Sequence, residues 1–209
     1  MPKIVDHAQR RTEIVHALWQ VIYLKGIDGV SFRSVAEAAG ISIGRVQHYF
    51  PSRSELILEG CRQIVDSAEA AGPEGADAPS DPGSAKAVSA LREFCFAFIP
   101  TGETMRIGAS VWYTYVARAV MDEQIADIIR ASDRATLELG IRLYRAVGEG
   151  DGAAHADDAG GTDGEVATTW AMRMIALGKG LAQEVMLDER SAASAKAILE
   201  AELAPLVAN

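Results

Sequence analysis

A short run of polar side chains has the residue types needed to read the edges of DNA base pairs. Arg45 can donate two hydrogen bonds to guanine, and Gln47 can pair with adenine. His48 and Tyr49 can donate hydrogen bonds to phosphates or bases, and Gly44 allows a close approach of the backbone. The alternative is that these are ordinary solvated polar residues, and their types alone favour neither interpretation.

Two predicted helices joined by a tight turn position this run. Ser31 can cap the first helix, which ends at Gly40, where glycine supplies the backbone freedom that the turn needs. Ser42 can cap the second helix, which runs to Tyr49 and is stopped by Pro51. The inward-facing side chains would be Val35, Ala36, Ala39, Ile41, Val46 and Phe50. This is the pattern of a helix-turn-helix, whose second helix lies in the major groove.

The same stretch closely resembles the signature of the TetR family of transcriptional regulators. The family elements stand here as Val35-Ala36, Ala39-Gly40, Ser42, Gly44, Val46, Tyr49-Phe50 and Ser52-Arg53-Ser54-Glu55-Leu56. The Gly44–Phe50 version is similar to an actinomycete-like subgroup. One departure is Gln47, where the family often has tyrosine, so that a phosphate contact of the family has here become a candidate base contact.

The resemblance implies a set of DNA contacts. Residues at the start of the second helix of the chain would hold phosphates, and Arg53 would hold another at the start of the fourth helix. Helix N-termini favour anions in any case. The predicted contacts are Ser31, Arg33, Ser34, Ser42, Ile43, Gly44, Arg45, Gln47, His48, Tyr49 and Arg53. Arg10 and Arg11 would either reach the minor groove or form a solvated basic tail.

The net charge of −9 argues at first against a nucleic-acid partner. However, residues 1–64 hold 8 Lys and Arg against 6 Asp and Glu, so the acidic excess lies in the rest of the chain. A basic N-terminal region can still bind phosphates although the rest of the chain is acidic. With no signal peptide and no apolar run of membrane-spanning length, we expect a cytoplasmic protein. Cys61 and Cys95 are predicted to be buried thiols.

Helical periodicity without strand-type alternation predicts an all-α chain of about nine helices. We divide it into a three-helix helix-turn-helix DNA-binding domain, residues 1–51, and a helical ligand-binding and dimerisation domain, residues 52–209. Gly- and Pro-rich segments predict a flexible linker at 72–84 and a mobile loop at 148–164. The helices expected beyond the linker cover 85–99, 103–120, 122–147, 165–187 and 191–207.

The resemblance also implies a homodimer, because the family pairs its last two helices with those of a second chain. Two apolar stripes fit this role here. One comprises Val166, Trp170, Met174, Leu177, Leu181 and Val185, and the other Ala195, Ile198, Leu199, Leu203 and Leu206. An intrachain core is the alternative use of both stripes.

Aromatic and methionine side chains suggest a site for a small-molecule effector. The predicted ligand-binding residues are Phe94, Phe98, Met105, Trp112, Tyr113, Tyr115, Trp170 and Met174. A site lined in this way would suit a flat or apolar ligand, although any single aromatic residue is also a candidate for plain core.

We therefore expect a ligand-responsive regulator, most simply a repressor that binds a palindromic operator as a homodimer and is released by a small apolar or aromatic effector. The alternatives are an activator of the same fold and a helical small-molecule-binding protein without DNA binding. An enzyme is not expected, because a di-metal centre of a helical bundle needs two Glu-x-x-His pairs, and the four histidines form a single one, Glu13–His16. We expect no cofactor, no metal and no membrane partner.

Overall fold

A computed structural model of the chain describes residues 7–70, 83–148 and 163–207. Their regular structure is helical, as predicted, with nine α-helices and one 3-10 turn, Ile27–Gly29. The helices are α1 (His7–Lys25), α2 (Phe32–Ala39), α3 (Ile43–Tyr49), α4 (Arg53–Ala70), α5 (Ala85–Phe96), α6 (Glu103–Ala119), α7 (Glu123–Gly148), α8 (Asp163–Met186) and α9 (Ala192–Val207). The predicted linker 72–84 and loop 148–164 lie, except for their end residues, outside the described residues.

Local sequence signals set the ends of the second and third helices as predicted. The Ser31 hydroxyl accepts a hydrogen bond from the backbone N–H of Ser34 at 3.0 Å, and the Ser34 hydroxyl accepts from the Ser31 N–H at 2.9 Å. This reciprocal pair satisfies two N–H groups that the first turn of α2 leaves free. Gly40 ends α2 in the left-handed conformation, with φ of 65°, and Ser42 caps α3 by accepting from the Arg45 N–H at 3.3 Å. The turn between the helices is therefore fixed by its own residues.

The chain divides into two units. Unit 1 holds the described residues of Met1–Ala70 and of Ile107–Ala131, and unit 2 holds those of Ala71–Arg106 and of Ser132–Asn209. This division differs from the predicted boundary after residue 51, since α4 belongs wholly to unit 1. Its buried Leu56, Ile57 and Cys61 share one apolar cluster with α1, α2 and α3. Three helices alone would leave that face of α1 exposed to water.

The centre of unit 1 is a close approach of α1, α4 and α6 at Gly60. Tyr115 of α6 is fully buried and donates its hydroxyl hydrogen to the Ile57 carbonyl at 3.1 Å. Trp19 of α1 donates its indole N–H to the Gly60 carbonyl at 3.1 Å. A Cβ at position 60 would lie 2.4 Å from the Tyr115 oxygen and 2.5 Å from Leu18 Cδ2. Only glycine fits there without a shift of the Tyr115 and Leu18 side chains.

Unit 2 packs α5 against α7, α8 and α9. Phe94 and Phe98 meet edge to face, with ring centroids 5.7 Å apart. A Cβ on Gly140 or on Gly178 would come within 3.0 Å of Phe94 or Phe98 respectively, so both glycines admit a ring at close range. An ion pair joins α5 to α9, in which two nitrogens of Arg92 donate to the Glu200 carboxylate at 2.7 to 3.1 Å.

Part of the two apolar stripes predicted for dimerisation is already used within the chain. The core of unit 2 buries Met174, Leu181, Val185, Ala195, Leu199 and Leu203. Four of the five remaining members, Trp170, Leu177, Ile198 and Leu206, are partly buried against that core. The intrachain alternative thus accounts for six of the eleven stripe residues, and the exposed side chains of α8 and α9 remain available for a contact with a second chain.

Candidate nucleic-acid interface

Helix α3 is anchored on one side and open on the other. Val46 and Phe50 are fully buried in the core of unit 1, which fixes the rotation of the helix about its axis. The opposite side carries the exposed side chains of Arg45, Gln47 and His48. Within the described residues, the Arg45 and Gln47 side chains have no hydrogen-bond partner, and a Cβ at Gly44 would meet no atom within 4 Å. The predicted base-reading groups are free to contact a ligand, and Ile43 and Ser42 are exposed beside them.

The start of α2 presents a second group of predicted DNA contacts. Ser31 and Arg33 are exposed, and the Arg33 guanidinium has no ion-pair partner among the residues that the structure describes. Ser34 is half-buried, and its hydroxyl donates to backbone carbonyls, including that of Gly29 at 3.0 Å. The two serines thus cap the N-terminus of α2. Arg33 is the cation of this group that has no ion-pair partner among the described residues.

Arg53 has backbone partners that the sequence did not reveal. Its Nε donates to the Val30 carbonyl at 2.7 Å, and its Nη2 donates to the Ile27 carbonyl at 2.8 Å. These bonds tie the start of α4 to the 3-10 turn and the segment before α2. A guanidinium has five N–H donors, so three remain for a phosphate. Arg53 therefore holds the helix-turn-helix together in addition to its predicted role.

Arg11 plays a similar internal part that sequence reasoning missed. Its Nη1 donates to the Tyr49 carbonyl at 2.8 Å, at the end of α3. The guanidinium carbon lies 4.3 Å from the centre of the Phe50 ring, and Nη2 lies 3.2 Å from the Glu59 carboxylate. Positive charge at a helix C-terminus is favourable. The adjacent Arg10 instead pairs with Glu13 one turn along α1.

An aromatic cluster lies at the end of α3. The rings of His7 and Tyr49 are 4.6 Å apart, and the rings of His48 and Tyr49 are 5.2 Å apart. Tyr49 is half-buried between them, whereas both histidines are exposed. The first residue of α1 in the described chain thus supports the orientation of a predicted DNA contact. Only the aromatic types of His7 and Tyr49 could have signalled this contact, because they are far apart in sequence.

The structure distributes the predicted ligand-binding residues between the two units. Trp112, Tyr113 and Tyr115 belong to unit 1, whereas Phe94, Phe98, Met105, Trp170 and Met174 belong to unit 2. Tyr115, Phe94 and Met174 are buried in the cores, and Met105 is exposed. In unit 2 the Trp170 ring packs on Tyr144 with centroids 4.8 Å apart. The ligand-binding role of the set stays a prediction.

The buried thiols and the buried Tyr115 hydroxyl have shifted pKa values. Burial raises the pKa of the Cys61 thiol to about 11 and that of the Cys95 thiol to about 12. Burial also raises the pKa of the Tyr115 hydroxyl, which keeps this group a neutral donor. These are the marks of packed, unreactive side chains. Among the described residues no group of three or more metal-binding side chains comes together, and no helix is long and apolar enough to cross a bilayer.

The N-terminal region is similar in sequence to known regulatory proteins. Residues 14–59 match the sequence model of a family described as bacterial regulatory proteins, tetR family. The chain is 39% identical over 66 residues to the HTH-type transcriptional regulator PksA of Bacillus subtilis (strain 168), covering 32% of each protein. It is 31% identical over 135 residues to the HTH-type transcriptional regulator BetI of Stenotrophomonas maltophilia (strain R551-3), covering 64% of this chain and 66% of that one.

The whole fold also has solved counterparts. A crystal structure of a Saccharomonospora viridis protein in complex with choline superimposes with a TM-score of 0.78 at 21% identity, covering 94% of this chain and 96% of that chain. The sequence matches span about a third of PksA and just under two thirds of BetI. Likeness in sequence is therefore concentrated in the helix-turn-helix, and likeness in fold extends over the chain. The proteins matched by sequence are transcriptional regulators, in agreement with the expectation that this chain is not an enzyme.

Proposed function

Because this chain belongs to the tetR family of bacterial regulatory proteins, we propose that it is a ligand-responsive transcriptional repressor that binds a palindromic operator as a homodimer. The observation that carries the proposal is the outer side of α3, a helix anchored by Val46 and Phe50. There Arg45 and Gln47 are exposed and have no partner among the residues that the structure describes. Binding to chromosomal DNA implies that the protein works in the cytoplasm.

In this proposal the contacts divide into base reading and phosphate binding. Arg45 donates two hydrogen bonds to a guanine, and Gln47 pairs with an adenine, since these are the pairings that the two side chains form in the major groove. Arg33 and the remaining donors of Arg53 bind phosphates, which fixes the register of the protein on the duplex. The remaining proposed contacts are Ser31, Ser34, Ser42, Gly44, His48 and Tyr49. Two copies of α3 would enter major grooves about 34–36 Å apart.

Homodimerisation is proposed through the outer faces of α8 and α9. The faces turned away from the core of unit 2 carry small exposed residues, namely Ala176, Gly180, Ala193, Ala197, Ala201 and Ala204. Small side chains allow helices to approach closely, and a two-fold axis would bring the same surface of a second copy against them. The proposal rests on the family's usual dimer together with this accessible face.

The effector is proposed to be a small apolar or aromatic molecule. Choline, a small cation, is tested beside this class, because the Saccharomonospora viridis protein of the same fold was solved in complex with choline. An effector releases operator DNA only by binding more tightly to the released state than to the bound state. A coupling free energy of about 1–3 kcal/mol corresponds to a loss of operator affinity of roughly 5–150-fold. Titration of the operator complex with choline and with a panel of aromatic molecules measures this directly.

The DNA-binding proposal is tested by selection of duplexes from a random-sequence library, followed by affinity measurement with the enriched duplex. Arg45→Ala and Gln47→Ala each remove a base contact, so affinity should fall by about 5–150-fold, the equivalent of 1–3 kcal/mol. Arg142→Ala, which removes an exposed arginine of α7, is the matched control and leaves affinity unchanged. Failure to enrich any sequence would contradict the proposal and favour a helical small-molecule-binding protein. A transcription assay with the enriched site separates repression from activation.

A further inference from the structure

Ile43 is an apolar side chain of α3 that the protein core does not use. It is 39% exposed at the first position of the helix. Within the described residues it is absent from the apolar side chains that pack on the core of unit 1, whereas Ile41, two positions earlier in the turn, is among them. The inner side of α3 is filled without Ile43, since Val46 and Phe50 are fully buried. The side chain of Ile43 is thus available for contact with a molecule that binds against α3.

The position of Ile43 relative to Gln47 determines what it can reach. Residues four positions apart on a helix are neighbours, with Cβ atoms about 5–6 Å apart. Ile43 therefore lies one turn before Gln47 on the same side of α3. Successive base pairs are about 3.4 Å apart along the duplex, so a helix that brings Gln47 to an adenine brings Ile43 to a base pair one or two steps away.

The major groove offers one apolar group to such a side chain. Base edges present hydrogen-bond donors and acceptors, except that thymine also presents its C5-methyl group. Ile43 has no polar atom in its side chain and cannot make the other contacts. A methyl group packed against it would be removed from water, which is favourable in proportion to the apolar area buried.

We propose that Ile43 reads a thymine in each operator half-site by packing against its C5-methyl group. The inference rests on the proposed function, because it requires α3 to enter the major groove. It adds a third base-specific position to those of Arg45 and Gln47. The thymine lies within two base pairs of the adenine bound by Gln47.

The test uses the duplex enriched from the random library and replaces its thymines one at a time by deoxyuridine, which removes only the methyl group. For the wild-type protein, replacement at one position of a half-site should lower affinity about three- to fivefold, the effect of burying one methyl group. Ile43→Ala should bind the thymine and deoxyuridine duplexes with equal affinity. Alanine is favourable in an exposed helical position, so the variant should fold.

Two controls separate this effect from a general loss of binding. Gln47→Ala should keep the sensitivity to the methyl group although its affinity is lower. Val120→Ala, which truncates a side chain that is 80% exposed outside α3, should behave as the wild type. If an enriched duplex tolerates deoxyuridine everywhere, or if Ile43→Ala keeps the same sensitivity, the inference is wrong while the proposed function stands. If no duplex is enriched, the proposed function fails and the inference fails with it.

Discussion

Tyr115 donates a hydrogen bond to the backbone carbonyl of Ile57 across 3.1 Å in the fully buried centre of unit 1. The sequence suggested that Tyr115 contacts an effector, because it stands close to other aromatic residues in the chain. In the structure its hydroxyl contacts α4 instead, the helix that follows the proposed base-reading helix α3. The bond joins α6 to α4, so both helices are held by the same core as the helix-turn-helix.

Tyr115→Phe should lower the free energy of unfolding by about 0.5–1.5 kcal/mol, the usual net contribution of one intramolecular hydrogen bond. The ring stays in place, so the change isolates the hydroxyl. Urea unfolding followed by circular dichroism measures the difference between the variant and the wild type.

Tyr113→Phe is the matched control, since Tyr113 is a half-buried neighbour on α6 without a hydrogen bond among the described residues. It should change stability by much less. Equal stability of the wild type and Tyr115→Phe would show that the hydroxyl contributes nothing beyond the ring.

The parts of the fold that depend on neighbouring residues could be predicted from the sequence. Ser31, Gly40 and Ser42 act on backbone groups within four positions of themselves, and each acts as expected. The buried face of the helix-turn-helix was also evident, since Val46 and Phe50 repeat at the helical spacing and the structure buries both. The exposed outer side of α3 follows from the same periodicity.

The parts that depend on residues distant in sequence could not be predicted. The partners of Arg11 and Arg53 are backbone carbonyls 38 and 23 positions away, and a carbonyl has no residue type to signal its position. Closeness in sequence suggests that the aromatic residues share one ligand site, whereas packing places Tyr115 and Phe94 in separate cores. Gly60 gave no signal of its role, since the atoms that require its small size come from α1 and α6.

Arg33 and Arg53 should respond differently to substitution, because of the two only Arg53 has hydrogen-bond partners within the described part of the chain. Arg33→Ala should reduce the slope of log affinity against log salt concentration by about 0.9 for each phosphate contact removed, without a change in stability. Arg53→Ala should reduce the same slope and also lower the free energy of unfolding by about 1–3 kcal/mol, since two hydrogen bonds to backbone carbonyls are lost. Operator affinity at several salt concentrations and thermal unfolding measure the two effects.

Arg11→Ala provides the opposite case. It removes contacts with Tyr49, Phe50 and Glu59, so stability should fall while the salt slope keeps its wild-type value. A reduced slope for Arg11→Ala would mean that this arginine also reaches the DNA.

Ala197→Arg should prevent dimerisation if α9 forms the proposed interface. Ala197 is exposed in the chain, so a larger side chain can extend into solvent, but it would clash and place like charges together across a two-fold axis. Sedimentation velocity at micromolar concentration should show a shift from dimer to monomer, with helical content retained in circular dichroism.

Ala117→Arg, the same change at an exposed alanine of α6, is the control and should remain dimeric. A dimeric Ala197→Arg variant would place the interface on another face. Loss of helical content would mean that the chain is stable only as a dimer. In that case the unfolding midpoint of the wild type should also depend on protein concentration.

The two thiols should make the protein less stable in alkaline solution. Burial raises the pKa of Cys61 to about 11 and that of Cys95 to about 12, above the value of 9.0 for an unperturbed thiol. Above about pH 9 the unfolded chain therefore loses these protons before the folded chain does. The free energy of unfolding should be independent of these groups below about pH 8 and should fall as the pH rises towards 11. Urea unfolding between about pH 7 and about pH 10.5, a range that crosses the unperturbed thiol pKa of 9.0, measures the slope.

Because Cys61 belongs to unit 1 and Cys95 to unit 2, single substitutions also show which unit opens. Cys61→Ala and Cys95→Ala should each remove part of the alkaline slope, since each deletes one group whose proton uptake differs between the folded and unfolded states. Iodoacetamide at neutral pH should modify the remaining thiol of either variant only on unfolding, so labelling in increasing urea reports unit 2 in the first variant and unit 1 in the second. An alkaline slope that persists unchanged in Cys61→Ala/Cys95→Ala would show that burial of the thiols is not its cause.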